Sequence, residues 1–377
     1  MFNKLESLRT SNSCFVCPLI LFILICNTAH AEPFAGASGM AQISDNAYLC
    51  VQDTKADRPG SRIGILTVDT EKGGYDYLPL EPDWEGELPH DLESAFALRD
   101  RPGELLLCES GAYENWTTHE YHIGRIFHIR LTAAAESWDF ELLGTIPIPE
   151  HLHEIEGMFL LPVFNPEDIQ FDRDLFGDVD VARDALVQEA MAAAGLEEAG
   201  ADEAALDWGA PGVRQPQPSD LPGRDLAYLI LCTRGGDEAY EPASFHENVI
   251  DLKNHELREL RNGQGIDISV PPQSDPFQRG CSDVYLDRVG ILWIVSCSDL
   301  GDNGPFNSRI YRYGQYDIER GYGMSRSIYD NTSWFISGLK VEALCGSVME
   351  GSTLCYATDD EGFGGIWRSL GAATSLR

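Results

Sequence analysis

The chain has 377 residues, with 61 Asp and Glu against 27 Lys and Arg, and a formal net charge of −34. That charge argues against nucleic acid or an anionic membrane surface as a partner; it favours cations or serves solubility. The length allows one large domain or two ordinary ones.

The N-terminus reads as a secretion signal. Lys4 and Arg9 form a basic head, CFVCPLILFILIC (14–26) an apolar core, and Ala29-His30-Ala31 a small-x-small cleavage site. Residues 1–31 are therefore expected to leave, and the mature chain to start at Glu32. The apolar run is short of the roughly 20 residues that a bilayer span needs. No second such run follows, so no span is expected in the mature chain, whose location is expected to be periplasmic or extracellular. Of ten cysteines, Cys14, Cys17 and Cys26 fall in the signal, which leaves an odd number where disulfides are permissible.

Beyond the signal, helical periodicity is scarce, and short β-rich runs alternate with Gly, Pro, Asn and Asp turns. Aligned, they form a module repeated five times. Each module opens on a short apolar strand: SGMAQI (38–43), ESAFAL (93–98), EGMFLL (156–161), SDVYLD (282–287) and EALCGS (342–347). A second strand follows: AYLCVQD (47–53), ELLLCES (104–110), AYLILCTR (227–234), ILWIVSCSD (291–299) and STLCYATDD (352–360). A third comes after a loop rich in Gly and Asp: RIGILTVD (62–69), RIFHIRL (125–131), NVIDL (248–252), RIYRYG (309–314) and GIWRSL (365–370). Outer strands are predicted at 75–80, 138–143 and 256–260. Antiparallel units of three or four strands, repeated in this way, describe a β-propeller. The expected fold is all-β, one propeller over 32–377 with five blades, six being the alternative. The last module lacks a fourth strand, a place open to the first residues of the mature chain.

Residues 165–224 interrupt the third blade with an acidic, partly helical insertion. It holds PEDIQFDRDLFGDVD, the helix-like 182–199 and a proline-containing loop, and is either a functional cap or a decoration. DRDLFGDVD lacks the glutamate an EF-hand needs at its twelfth position and reads as an acidic turn. Cys281 and Cys297 flank the turn near Asp287–Gly290, and Cys345 and Cys355 the turn near Met349–Gly351. Residues equidistant from a hairpin turn face each other, so both pairs are expected as disulfides. Cys50, Cys108 and Cys232 close second strands and read as buried apolar residues.

HEIEGMFL (153–160) places Glu156 inside an apolar strand, where a carboxylate is costly unless something satisfies it. The equivalent positions hold Ser38, Glu93, Ser282 and Glu342. First strands line a propeller's channel, so these five side chains are expected to converge on its axis. Like charges that close need protons, basic neighbours such as Lys340, or a cation. An all-oxygen set suits a hard ion, with Ca²⁺ the expectation. The alternative is a set of strand-start glutamates bonded to nearby backbone N–H groups.

This Ser/Glu/Glu/Ser/Glu series resembles the soluble calcium-activated nucleotidases (apyrases), five-bladed propellers with calcium in the central tunnel. The resemblance implies metal ligands at Ser38, Glu93, Glu156, Ser282 and Glu342. The blade starts DLES and EIEG, with the ending KVEAL…LCYATDDEGFGGIWR, also look like the esterase-like phytases and related exported bacterial propellers.

The loops after the second strands open on the ring's face and bring candidate catalytic residues: Asp53, Glu109, Arg234, Asp299 and Asp359. Beside a bound cation such acids would activate a water or orient a phosphoryl oxygen, with Arg234 or Arg58 countering substrate charge. Each loop acid also reads as a turn-former. The expected function is an exported calcium-binding hydrolase of a small phosphoester or ester. The alternative is a non-catalytic propeller with structural calcium that binds a protein or a glycan. Basic residues on this face are few for a polyphosphate substrate. NWT (115–117) and NTS (331–333) match glycosylation acceptors.

Overall fold

A computed structural model describes residues 34–371 except 56–57, 87, 115–118, 120, 135–136, 162–224, 236–241, 260–262, 269–277, 289, 299–300, 302–303, 318–320 and 325–332. The expected signal, the insertion 165–224 with its helix-like stretch, and NWT (115–117) lie outside the described residues. No helix among the described residues is long and apolar enough to cross a membrane.

Five antiparallel sheets follow one another along the chain. The first contains β1 (Gly39–Gln42), β2 (Ala47–Val51), β3 (Ile63–Asp69) and β4 (Gly74–Leu80). The second begins with β5 (Leu92–Ala97) and β6 (Glu104–Glu109). A small hairpin, β7 (Tyr113–Glu114) and β8 (Tyr121–His122), precedes its β9 (Arg125–Ala133) and β10 (Trp138–Pro147). The third has β11 (Ile155–Leu161), β12 (Leu226–Thr233), β13 (Ser244–Asp251), β14 (Glu256–Glu259) and β15 (Ile266–Asp267). The fourth has β16 (Asp283–Leu286), β17 (Ile291–Ser298), β18 (Asn307–Asp317), β19 (Gly321–Met324) and β20 (Ser333–Ser337). The fifth has β21 (Val341–Gly346), β22 (Ser352–Thr358) and β23 (Trp367–Gly371). The first strands pack in a closed ring: β1 on β5, β5 on β11, β11 on β16, β16 on β21, and β21 back on β1. The fold is a five-bladed β-propeller whose blades are the five modules of the sequence.

The second strands explain why the pattern was readable. Each lies inside a blade that is covered on both faces, so both sets of alternating side chains are apolar. Leu49 and Val51 of β2 pack toward blade two, while Tyr48 and Cys50 pack toward blade five. In β6 the same division sends Leu105 and Leu107 one way and Leu106 and Cys108 the other. Trp84, on the connection between blades one and two, fills their interface against Phe127 and Phe140, with ring centroids 5.4 and 4.9 Å away. Cys50, Cys108 and Cys232 are buried, as expected of small apolar residues.

Blade five has three strands, and the first described residues do not add a fourth. Instead the Phe34 carbonyl accepts the Gly365 N–H at 3.0 Å, and the Ala37 N–H donates to the Thr358 carbonyl at 3.1 Å. The Phe34 ring packs on Tyr75 and Tyr77 of blade one, so this segment clasps the first blade to the last. Tyr48 makes a second clasp. Its buried hydroxyl donates to the Gly346 carbonyl and accepts the Val348 N–H, both at 2.9 Å. Tyr48→Phe leaves that N–H without its acceptor and is expected to lower unfolding free energy by about 1–3 kcal/mol. Urea unfolding checks it; an unchanged midpoint would show that the closure does not depend on this bridge.

Neither expected disulfide is present, and all seven cysteines among the described residues are free thiols. Cys345 and Cys355 do pair across β21 and β22, but the Cys355 Sγ is directed at the carbonyls of Cys345 and Gly346, 3.6 and 3.4 Å away. For Cys281 and Cys297, an extra residue at Ser282 breaks the register that counting from the turn assumes. Cys281 faces blade three instead.

An acidic site at one end of the axis

The five ring positions share a backbone device. In blades two, three and five the pairing of first and second strands slips by one residue, and the slip falls on Glu93, Glu156 and Glu342. The N–H groups of Ser38 and Ser282 bond to the carbonyls of Val51 and Val295, which already pair with Gly39 and Asp283. Such two-against-one bulges interrupt the strand's alternation and re-aim the extra side chain. The bulges turn Glu93, Glu156 and Glu342 into a group whose charges act on one another. The neighbouring strands approach closely at two of the five, Ser38 and Glu156, where glycine follows. A Cβ on Gly39 would lie 2.7 Å from the Ser94 Cα, and one on Gly157 2.8 Å from Val284 Cγ2.

Four ring residues are buried and Glu93 is half-buried. Arg234 reaches Glu156 at 3.4 Å and also pairs with Glu154. Arg279 lies 3.5 Å from Glu342, and the Lys340 ammonium 2.9 Å from the same carboxylate and 2.6 Å from Glu361. Lys55 pairs with Asp91. Among the described residues, the charges that act on one another at this end are eight acidic side chains (Asp53, Asp91, Glu93, Glu154, Glu156, Glu342, Asp359, Glu361) against four basic ones (Lys55, Arg234, Arg279, Lys340).

That imbalance sets the electrostatics. Burial pushes the Glu156 carboxyl up to about 8, against the pull of Arg234 and Arg279. Burial raises Glu93 well above the usual range, and Asp91, Glu156 and Glu342 add to it. Asp359 rises to about 7, from burial and then from Glu342 and Asp53. Asp53 is raised by burial although Lys55 opposes it. Burial alone would lower the Lys340 ammonium, but Glu342 and Glu361 outweigh it and hold it charged.

The sequence candidates divide in this geometry. Asp53 and Asp359 stand half-buried at equivalent places, just after β2 and β22 in adjacent blades. Arg234 is a counter-charge to the ring. Glu109 has a structural environment: fully buried, it accepts the N–H groups of His90 and Arg125 at 2.8 Å and is gripped by the Arg125 guanidinium. Both its oxygens are engaged in holding the blade-two rim, where Tyr113 stacks on His90 with centroids 3.6 Å apart. Asp299 lies outside the described residues. Ser282 donates to the Val341 carbonyl at 2.9 Å and so ties blade four to blade five. Ser38 differs: its buried hydroxyl oxygen has no hydrogen-bond partner.

Reading the sequence by ring position alone misses Asp91, Glu154 and Arg279. Two of them had a signal. Asp91 and Glu154, like Lys340, sit two residues before Glu93, Glu156 and Glu342, a charged position that recurs at the blade starts. Asp91 and Glu154 hold left-handed backbone, φ 63° and 53°, a cost carried where the chain is over-determined by its surroundings. Arg279 comes from an irregular connection with no period to read.

The resemblance to apyrases implies calcium among the ring oxygens. No three His, Cys, Asp or Glu side chains among the described residues converge as a metal cage, and Glu156 and Glu342 are met by the protein's own cations. The unpartnered Ser38 hydroxyl is the one feature of the ring that fits a bound ion.

Farther along the axis the channel changes character. A cavity of about 130 Å³ is lined by Met40, Phe96, Met158, Tyr285 and Leu344, with Arg99 and Arg288 also on its wall. Asp283 borders it, its carboxylate accepting the Val284 and Leu344 N–H groups, and burial raises its carboxyl despite both bonds.

The chain is thus defined as a five-bladed propeller with an acid-rich axial site. Solved structures to which it is similar include one from the GH130 family of mannoside phosphorylases, which contains glycoside hydrolases that target β-1,2-mannosidic linkages in Candida mannan. The identity is 8%, the cover 91% of this chain and 85% of that one, and the TM-score 0.42. A Parabacteroides distasonis protein assigned to the glycoside hydrolases matches at 11% identity over 90% of this chain and 86% of its own, with TM-score 0.39. A GH43 protein from Bacillus licheniformis matches at 11% over 79% of this chain and 56% of its own, with TM-score 0.33. No protein-family model matches the sequence, and no curated protein does. The resemblance to apyrases and phytases rests on the short motifs that carry it.

Proposed function

We propose that the acidic end of the axis is a hydrolytic site for a neutral, hydroxyl-rich substrate, and that the bond cleaved is glycosidic. The observation behind this reading is that Asp53 and Asp359 stand half-buried at matching loop positions of adjacent blades, with the Asp53 charge among those that act on Asp359. Burial, Glu342 and Asp53 raise the Asp359 carboxyl to about 7, so it keeps its proton below that. Hydrolysis of an acetal asks for that combination: an acid that protonates the leaving oxygen and a carboxylate that activates water. Asp359 takes the first role and Asp53 the second; Arg234, Arg279 and the ring carboxylates bind hydroxyl groups. Phe363, two residues beyond Glu361 and 73% exposed, offers a flat apolar face to a sugar ring. The surplus of acids repels a phosphoester, which makes the polyanionic substrates of the sequence reading poor ligands here.

The test is a panel of neutral aryl glycosides, aryl esters, nucleoside diphosphates and phytate, assayed with Ca²⁺ and with EDTA. Turnover of a glycoside supports the proposal. Turnover of phosphoesters alone, or silence across the panel, overturns it, and silence favours a propeller that only binds a protein or glycan.

A second reading, Ca²⁺ on the axis, is favoured by the orphaned Ser38 hydroxyl. It predicts calcium in elemental analysis of the purified protein and a lower melting temperature in EDTA. Calcium-free protein whose melting temperature EDTA leaves unchanged removes it.

A further inference from the structure

Cys232 lies near the end of β12 in blade three, and Cys281 stands just before the ring serine of blade four. Both are fully buried, and their Sγ atoms are 3.1 Å apart. The backbone holds the two segments together beside them: the Gly280 N–H donates to the Arg234 carbonyl at 3.3 Å. A Cβ on Gly280 would approach that of Ala243 to 2.9 Å, so the connection is seated closely on blade three. A disulfide needs sulfurs about 2.05 Å apart. The remaining closure is about 1 Å, within the reach of small rotations about the two Cα–Cβ bonds.

We propose that Cys232 and Cys281 form a disulfide that staples blade three to blade four when the chain folds in an oxidising compartment. The oxidant is a disulfide of the thiol–disulfide class, small-molecule or protein-borne. One cysteine, as thiolate, attacks a sulfur of that disulfide and releases a thiolate; the second cysteine then displaces the other sulfur from the mixed disulfide. In balance, two thiols give up two electrons and two protons, and the oxidant leaves as two thiols. Burial, reinforced by Cys232, raises the Cys281 thiol well above its ordinary range, so Cys281 is a weak nucleophile once folded, and both buried sulfurs are out of an oxidant's reach. The bond therefore forms before the two blades close over it, and is shielded from reductants afterwards. It is a staple rather than a switch. Its place gives it a consequence for the axial site. Arg234 follows Cys232 by two residues and Arg279 precedes Cys281 by two, so the bond fixes both arginines that face Glu156 and Glu342.

The full chain, produced with a glutathione redox couple, is denatured without reductant, alkylated and mapped by peptide mass spectrometry. The expected result is one cross-linked species joining the Cys232 and Cys281 peptides, two hydrogens lighter than their sum and lost on reduction. Cys232→Ser should remove it, and lower the melting temperature by about 5–10 °C without reductant and not in its presence. Alkylation of both cysteines in the unreduced wild-type chain, or a Cys281–Cys297 link, overturns the proposal. The mapping needs no variant, so a Cys232→Ser chain that fails to fold leaves the decision with the wild type.

Discussion

Asp359→Asn is expected to lower kcat/KM on the aryl glycoside that the protein cleaves by about 10²–10⁴-fold, the usual worth of a positioned general acid. Asp359 must be protonated to act, and its carboxyl titrates near 7 because burial, Glu342 and Asp53 all disfavour its charge. Activity should therefore fall tenfold for each pH unit above about 7. The Asn variant loses this basic limb, since nothing is left to titrate. A leaving group that departs without a proton separates the roles further. On a dinitrophenyl glycoside the Asp359→Asn loss should shrink toward tenfold, while Asp53→Asn, which removes the carboxylate that activates water, should cost the same on every leaving group. An equal loss from Asp359→Asn on good and poor leaving groups would leave it no part in proton donation. The Asp359 amide also donates to the Lys340 carbonyl at 3.0 Å, and its carboxylate accepts the Glu361 N–H at 3.0 Å. Asn keeps an acceptor at that place, so a change in folding is not expected to obscure the kinetics.

How much of this was legible follows from which side chains carry one-dimensional signals. Second strands such as Ala47–Val51 are buried on both faces, so they appear as unbroken apolar runs, and five of them at repeated offsets give the propeller. A glutamate inside such a run, as at Glu156, is conspicuous for the same reason. What failed depends on partners distant in sequence. Glu109 ends a buried strand just as a catalytic acid might, and only Arg125, 16 residues on, shows it to be engaged. The expected disulfides part from the structure for two reasons: Ser282 breaks the ladder one residue from Cys281, where counting outward from a turn presumes it unbroken, while Cys345 and Cys355 do face each other but the Cys355 Sγ is turned to backbone carbonyls. Of the outer strands of blades three and four only 256–260 was read, because each is split into two short pieces, β14 with β15 and β19 with β20. Pieces of two to five residues at a solvent edge carry little alternation to read.

Glu156→Gln is expected to stabilise the protein above neutral pH, the reverse of what loss of an Arg234 ion pair would suggest. The Glu156 carboxyl is 3% exposed and is raised from 4.5 to about 8. Between those values the folded chain keeps a proton that the unfolded chain has lost, so the native state binds more protons and stability falls as pH rises. The loss begins near 4.5 and is complete near 8. At about 1.4 kcal/mol for each pH unit, its upper bound is about 5 kcal/mol. Rearrangement of Arg234 and Arg279 toward the new charge takes back part of that, leaving about 1–3 kcal/mol for the variant's advantage at pH 8.5. Gln is close in shape to the protonated acid, so the two chains should converge near pH 4.5, where wild-type Glu156 is protonated in the folded state. Urea unfolding of both proteins from pH 4.5 to 8.5 measures this, with the slope of stability against pH shallower for the variant. A variant less stable than wild type at pH 8.5 would mean that Glu156 is ionised and held by a cation. Repeating that point in EDTA then tells which cation: a deficit that disappears belongs to a bound metal, and one that persists belongs to Arg234 and Arg279.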